Sequence, residues 1–333
     1  MDGGFSRRVA SEEWRSQAHA WIEREVTAAG RTLTGPVEQR RIRPWSTQLV
    51  APTDRGPAWF KANCPALAFE PAVHLELSHL VPDEVDAPLA VDVDRGWMVT
   101  ADRGVTLGER HETTLADWQA VVRLAGALQR RVADSGPTLL VAGLPDCAPT
   151  SVPARYGWLV DQLSALPADH PSHVPSDEAA VLRAAAATVE EAVEELEAAP
   201  LPTTLQHGDL HPNNIFAVGG DQMRVFDFGD AQWAHALEIL AVPYGWVTRL
   251  TQLPWPQVLD AYADVWSDLV SREELERLMP AAMVTHAVNR AFTWWGAIEG
   301  AQPEELVEWG DAPAYYLRLT HAPFPPNASD EGP

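Results

Sequence analysis

Lysine is all but missing from this chain of 333 residues: Lys61 is the only one, and the remaining fixed cations are arginines. Cysteine is nearly as scarce. Two cysteines, Cys64 and Cys147, make no disulfide framework and show no paired spacing of a structural zinc site. No run of about 18 apolar residues occurs, so no membrane-spanning helix is expected. The opening stretch MDGGFSRRVASEEWRSQAHAWIEREV lacks the apolar core of a signal peptide. A soluble, cytoplasmic protein is the expectation. Positive charge is short overall. A formal net charge of −23 argues against nucleic acid as the main partner, because a phosphate backbone demands a basic face, and it disfavours an anionic membrane surface. Such a field attracts small cations, although an acidic, arginine-only composition can equally mark the proteome of origin.

What is present is ordinary globular material: 46% hydrophobic and 21% charged residues, enough chain for one large domain or two lobes. Residues Ser11 to Ala28 put Trp14, Ala18, Trp21 and Ile22 on one side of a helix. EQRRIRP, STQLVAP and AWFKA then read as strands, and APLAVDVDRGWMVTAD as two more joined by a turn at Asp94–Gly96. Between them LAFEPAVHLELSHLV is helical in part, with Pro71 at or near its start. From residue 115 the period changes to that of helices. LADWQAVVRLAGALQRRVAD carries one apolar stripe, and SDEAAVLRAAAATVEEAVEELEAA reads as a single strong helix. IFAVGGDQMRVFDF reads as a hairpin of Ile215–Val218 and Met223–Phe226. Helices follow, rich in tryptophan at core-like spacing. The division expected is a helical extension (1–28), a small sheet lobe (29–104), a large helical lobe (105–321) and a disordered tail (322–333), with no internal repeats.

The chemistry concentrates in LQHGDLHPNNIFAVGGDQMRVFDFGDA, residues 205–231. A hairpin brings its ends together, so Asn214 before the first strand and Asp227 after the second are expected side by side. Two oxygen-bearing side chains there suit a hard cation such as Mg²⁺, which prefers oxygen ligands and keeps several waters. Asp209, at the head of the same loop, is then poised to accept a proton from a hydroxyl attacking a phosphate. Alternatives exist for each part. His207 and His211 are four apart, a zinc spacing on a helix, but Gly208 and Pro212 argue against a helix there. Asp209 alone can be a turn residue, and Asn213–Asn214 a turn pair.

HGDLHPNN followed by VFDFGD resembles the catalytic and metal-binding loops of the aminoglycoside phosphotransferase and choline kinase-like family. The likeness runs from about Val37 to the last helices. It implies an α+β, bilobal protein kinase-like fold, with a small antiparallel-sheet lobe carrying one helix and a larger, mainly helical lobe. It implies ATP and Mg²⁺, and a hydroxylated small molecule, cationic in some members, as acceptor. By it Asp209 is the catalytic base, His207 counts among the catalytic residues by bracing the loop, and Asn214 and Asp227 hold the metal. Lys61 becomes the lysine that grips phosphate, paired with a helix glutamate for which Glu70 is the candidate. A compact ammonium can do this where a guanidinium does not fit, which gives the solitary lysine a reason to exist. No Gly-x-Gly-x-x-Gly is present, so Ser46 and Thr47 in the RPWST turn are expected to contact the phosphates. Ala101 and Asp102, at the join of the lobes, are expected beside the nucleotide. Glu238 stands where the family often has aspartate and is expected to be structural.

Two other functions stay open on sequence. A protein kinase needs a long segment after Asp-Phe-Gly, whereas AHALEIL reads as a helix that begins too soon to leave room for one. A non-catalytic nucleotide-binding module is the second, although such proteins tend to lose the base or a metal ligand, and neither is lost here. The acids Asp260, Asp264 and Asp268 fall on one helical face that could collect a cation or merely be solvated. WWGAIEG and EWGDAPAYYLRL offer aromatic surface for an acceptor, or core packing.

Overall fold

The computed structural model describes residues 4–219, 222–251 and 253–321. The Gly-Gly-Asp turn expected after residue 218 falls partly outside those residues, and the tail 322–333 wholly outside. The chain opens with α1 (Phe5–Val9) and α2 (Glu12–Ala28). Ser11 caps α2 by accepting from the Trp14 N–H, and Glu12 and Glu13 sit in its first turn, where acids suit the helix dipole. A five-stranded sheet follows, built from β1 (Glu38–Ile42), β2 (Ser46–Ala51), β3 (Ala58–Asn63), β4 (Ala90–Asp92) and β5 (Trp97–Ala101). Its order is β1-β2-β3-β5-β4 and every pair is antiparallel. Helix α3 (Glu70–Leu80) crosses between β3 and β4.

Strand alternation divides this sheet into two faces with different tasks. Leu49, Phe60, Trp97 and Val99 point one way and are buried under α2. There Trp14 and Trp21 meet Phe60 and Trp97 edge to face, at centroid separations of 5.6–6.1 Å. On the other face Gln48, Lys61 and Met98 stand in register across three strands. Helix α1 clips this lobe to the far end of the chain: Ser6 Oγ donates to Glu305 Oε2 (2.9 Å), and Phe5 and Val9 share a core with Ala297 and Ile298.

The second part is helical: α4 (Leu107–Arg110), α5 (Leu115–Val132), α6 (Gly136–Val141), α7 (Val152–Ser164), α8 (Ser176–Ala184) and α9 (Ala186–Glu197) precede the loop region. After it come α10 (Ala241–Gly245), α11 (Trp255–Trp266), α12 (Arg272–Ile298), α13 (Pro303–Trp309) and α14 (Ala312–Leu319). Helix α5 starts on a reciprocal Thr114–Asp117 capping box and buries Trp118, Val121, Val122, Ala125, Leu128 and Val132. It packs against α11 across Gly126, where a Cβ would sit 3.1 Å from Val265. Helix α12 is the long central member, touching α7, α9, α11 and α14. Its last turns reach the sheet lobe, with Gly296 against Ala66.

Three local expectations are corrected. The stretch 176–199 is two helices, not one: the chain turns at Ala185, so that Ala179 and Leu182 are buried from α8, and Val189, Val193 and Leu196 from α9. Short strands β6 (Thr203–Gln206) and β9 (Gln232–His235) pair antiparallel around the loop region. Four residues are too few for alternation to show, and the partner lies beyond the hairpin β7 (Ile215–Gly219) and β8 (Gln222–Val225). AHALEIL begins in β9 and continues as a 3₁₀ turn over Ala236–Leu240.

Candidate active site

The site forms where the inner sheet face meets the β6–β9 region. Lys61, mid-β3, extends Nζ to within 2.6 Å of Glu70 Oε2 and 2.7 Å of Asp227 Oδ1. Glu70 is the first residue of α3, with Pro71 preset for a helical first turn, and is fully buried. Asn63 Nδ2 also donates to its Oε2. Burial alone would lower the Lys61 pKa, but the Asp227 and Glu70 charges outweigh it and hold the ammonium charged. Burial would likewise raise Asp227, and Lys61 reverses this by charge and hydrogen bond, so the carboxyl titrates below its ordinary value. Gly229 keeps the corner open, since a Cβ there would lie 3.3 Å from Glu70 Oε2 and 3.5 Å from Lys61 Nζ.

The loop between β6 and β7 is held by its own side chains. Gly208 has φ +82°, and a Cβ on it would run into the Asp230 carbonyl. The Asp209 N–H donates to His207 Nδ1 (3.3 Å), so His207 carries its proton on Nε2 and donates it to the Phe226 carbonyl (3.0 Å). Burial holds this ring neutral. Both nitrogens are thus taken by backbone, and His207, expected among the catalytic residues, braces the loop without touching the Asp209 carboxylate. His211 accepts from the Asn213 N–H at Nδ1 (3.2 Å) and turns Nε2 to Asp209 Oδ2 (3.3 Å), while its ring stacks on Trp246 (5.0 Å, 19°). Burial would raise the Asp209 carboxyl, but the His211 hydrogen bond and the Arg290 charge hold it well below the usual carboxylate range.

Hairpin β7–β8 returns the chain so that the Phe226 N–H donates to the Asn214 carbonyl (3.2 Å), which brings Asn214 beside Asp227. Asn214 Nδ2 donates to the Asp209 carbonyl (2.8 Å) and Oδ2 (3.2 Å). No donor among the described residues reaches its Oδ1, nor Asp227 Oδ2. Asp227 is the one non-glycine described residue with positive φ, at +66°, a strained backbone of the kind that collects at ligand-holding positions. Two oxygens left without donors fit Mg²⁺, which takes few protein ligands and completes its shell with water or phosphate oxygen. Among the described residues no group of three or more His, Cys, Asp or Glu is arranged to hold a metal ion.

Helix α12 braces this region from behind. His286 Nδ1 meets Gln206 Nε2 (3.2 Å), and the Gly208 N–H donates to Gln206 Oε1. Glu238 is buried and accepts from Thr285 Oγ1 (2.8 Å) and Asn289 Nδ2 (2.9 Å). Burial pushes its carboxyl up to about 7 against those hydrogen bonds. A carboxyl raised on folding adds stability below its unfolded pKa, and that contribution is lost as pH rises through the folded value. Glu238→Gln is therefore expected to match the wild type near pH 4 and to exceed it at pH 8 by up to about 3 kcal/mol. Urea unfolding at the two pH values checks this.

The remaining expected residues are distributed as follows. Ser46 lies on the Lys61 side of the sheet, buried, with no partner for its hydroxyl among the described residues. Thr47 is not on that side. Its hydroxyl donates to the Arg41 carbonyl and accepts from Gln39 (2.8 Å each), so the alternation of β2 turns it away from any nucleotide. Ala101 ends β5 opposite Ala58, and Asp102 spends Oδ1 on the Gly104 N–H (2.8 Å) at the lobe junction. Asp260, Asp264 and Asp268 are exposed, facing Arg272, Arg123 and Arg130. Trp294 and Trp309 stack on each other (5.9 Å) with Trp45 edge-on to both, so these rings pack together. Sequence reasoning passed over Asp230 and Arg290. Asp230 stands within the quoted VFDFGD and could have been singled out, whereas Arg290 has no local signal.

A family model described as the phosphotransferase enzyme family matches residues 71–280. Among solved structures, an ethanolamine kinase of Plasmodium vivax superposes with a TM-score of 0.66 at 12% identity, covering 94% of this chain and 90% of that one. A macrolide 2'-phosphotransferase type I gives 0.58 at 16% identity, covering 94% and 99%. A spectinomycin phosphotransferase, in complex with ADP and spectinomycin, gives 0.57 at 10% identity, covering 91% and 94%. At these identities the likeness is one of fold. No curated protein matches the sequence.

Proposed function

The chain belongs to the phosphotransferase enzyme family, and from that membership we propose that it transfers the γ-phosphoryl group of ATP to a hydroxyl of a small molecule. The observation that carries this reading is the convergence of Asp209, Asn214 and Asp227 opposite the Lys61–Glu70 pair. Lys61 grips the nucleotide phosphates, and Glu70 fixes its ammonium. Asn214 Oδ1 and Asp227 Oδ2 would hold Mg²⁺, which when bound supplies charge neutralisation for the phosphates. Asp209 orients the acceptor hydroxyl with Oδ1, because Oδ2 is taken by His211 and Asn214, and receives its proton as transfer proceeds. After Asp227 the chain enters β9 at Gln232, which leaves no room for a peptide-binding segment and favours a small acceptor.

The relatives named above act on ethanolamine, a macrolide and spectinomycin, so the first acceptor panel is amino alcohols, macrolides and aminocyclitols together with amino sugars. With Mg·ATP, one class is expected to yield a phosphorylated product detectable by ³¹P NMR and mass spectrometry. Absence of product across the panel, with ATP consumption identical in wild type and Asp209→Asn, would overturn the reading.

A further inference from the structure

Three carboxylates, Asp209, Asp227 and Asp230, lie close enough to act on one another by charge, and Lys61 is already committed to Asp227 and Glu70. The second cation comes from α12. Arg290, 9% exposed, places Nη1 2.6 Å from Asp230 Oδ1 and Nη2 3.8 Å from Asp209 Oδ1, with its guanidinium over the Trp294 ring at 5.5 Å. Nε has no hydrogen-bond partner among the described residues, and Nη1 meets Asp230 off the hydrogen-bond axis. The pairing is therefore one of charge. We propose that Arg290 is a positioning residue for phosphoryl transfer: one guanidinium on α12 ties the loop carrying Asp209 to the loop carrying Asp227 and Asp230, and so fixes the base relative to the metal-holding side chains. This rests on the phosphotransferase reading above.

The architecture favours such a tie. Asp230 already lies against the base loop through its carbonyl, which abuts Gly208. One turn before Arg290, His286 supports Gln206 at the start of that loop. Helix α12 thus meets the loop at its root and at its reactive carboxylate. Asp209 Oδ2 is fixed within its own loop by His211 and Asn214, whereas Oδ1 has Arg290 as its charged neighbour from another element. A well-packed apolar side chain can be as stabilising as a buried ion pair, so stability alone does not require a cation mid-helix. Loss of about 1 Å of alignment at a reacting centre costs about a hundredfold in rate.

The test compares Arg290→Met, Arg290→Lys and the double variant Arg290→Met with Asp230→Asn. The single Met variant strands a buried carboxylate and is expected to lose thermal stability, and the double variant to regain most of it. Hydrogen exchange of the 205–214 segment is expected to rise about tenfold in both, because the tie is cut in both. With the acceptor found in the panel, or with water as acceptor of Mg·ATP, kcat is expected to fall about a hundredfold in the Met variants while the KM for ATP stays within about twofold. Arg290→Lys, which keeps a cation but cannot span both loops, is expected between wild type and Met. If the double variant recovers loop protection together with stability, Arg290 merely balances Asp230 and the proposal is overturned. Should the wild type turn over nothing, the phosphotransferase reading fails, and loop exchange in the double variant still decides the role of Arg290.

Discussion

Replacing Lys61 by methionine is expected to remove about 3–5 kcal/mol of stability at neutral pH, the usual cost of stranding a buried charge. Methionine fits the space of the lysine stem, so the loss arises from charge. Glu70 is fully buried, the Asp227 side chain is 29% exposed, and each has its short ion pair to the same ammonium. The pH dependence separates this from a packing defect. In the wild type the depressed Asp227 carboxyl contributes stability above its unfolded pKa, and this is lost as pH falls through the lower folded value. The raised Lys61 contributes below its unfolded pKa and loses that contribution only as pH rises through a still higher folded value. The pair is therefore level between about pH 5 and 9. In the variant Asp227 loses its cation, burial raises its carboxyl, and acidification stabilises it as a neutral acid. The gap between variant and wild type is expected to shrink from pH 8 to pH 5, read by urea unfolding with tryptophan fluorescence. A gap below about 1 kcal/mol, or one unchanged with pH, would show that the ammonium is not paired in the folded protein.

How much of this was legible in the sequence depends on how local each signal is. The loop segment could be read because hairpin geometry forces Asn214 and Asp227 together whatever the rest of the chain does. Lys61 could be read because it has no competitors. Glu70 is close by in sequence and starts a helix that proline marks. Thr47 does not share the Lys61 face with its neighbour Ser46, because alternation sends adjacent residues to opposite faces. Strands β6 and β9 were invisible because each draws its stability from the other across an inserted hairpin. The contribution of α12 was hidden for a different reason. Thr285, His286, Asn289 and Arg290 are polar residues on a helix with many buried positions, and helical periodicity records apolar faces only. Their partners lie in elements far away along the chain, so only the folded arrangement shows what they hold.

Asp209→Asn is expected to lower kcat by about 10²–10⁴ while leaving affinity for Mg·ATP within about threefold. Asparagine keeps an oxygen for His211 and the same volume, so the loop should persist. It loses the capacity to accept a proton. The size of the effect follows from the state of the carboxylate. Held well below the ordinary range by His211 and Arg290 against its burial, Asp209 stays ionised throughout neutral pH. So weak a base does little to deprotonate a hydroxyl in advance. On the proposed function, its work would be to align the acceptor oxygen and take the proton late, as a loose transition state for phosphoryl transfer allows. Two consequences distinguish this from an ordinary general base. The wild-type rate should carry no acid limb from Asp209 between about pH 5 and 8, since the group does not titrate there. The variant should lose rate by the same factor at every pH in that window. Steady-state kinetics across the window and calorimetric titration with a non-hydrolysable ATP analogue read both quantities. A variant retaining more than about a tenth of wild-type kcat would remove Asp209 from the reaction and leave Asn214, Asp227 and Lys61 to carry transfer alone.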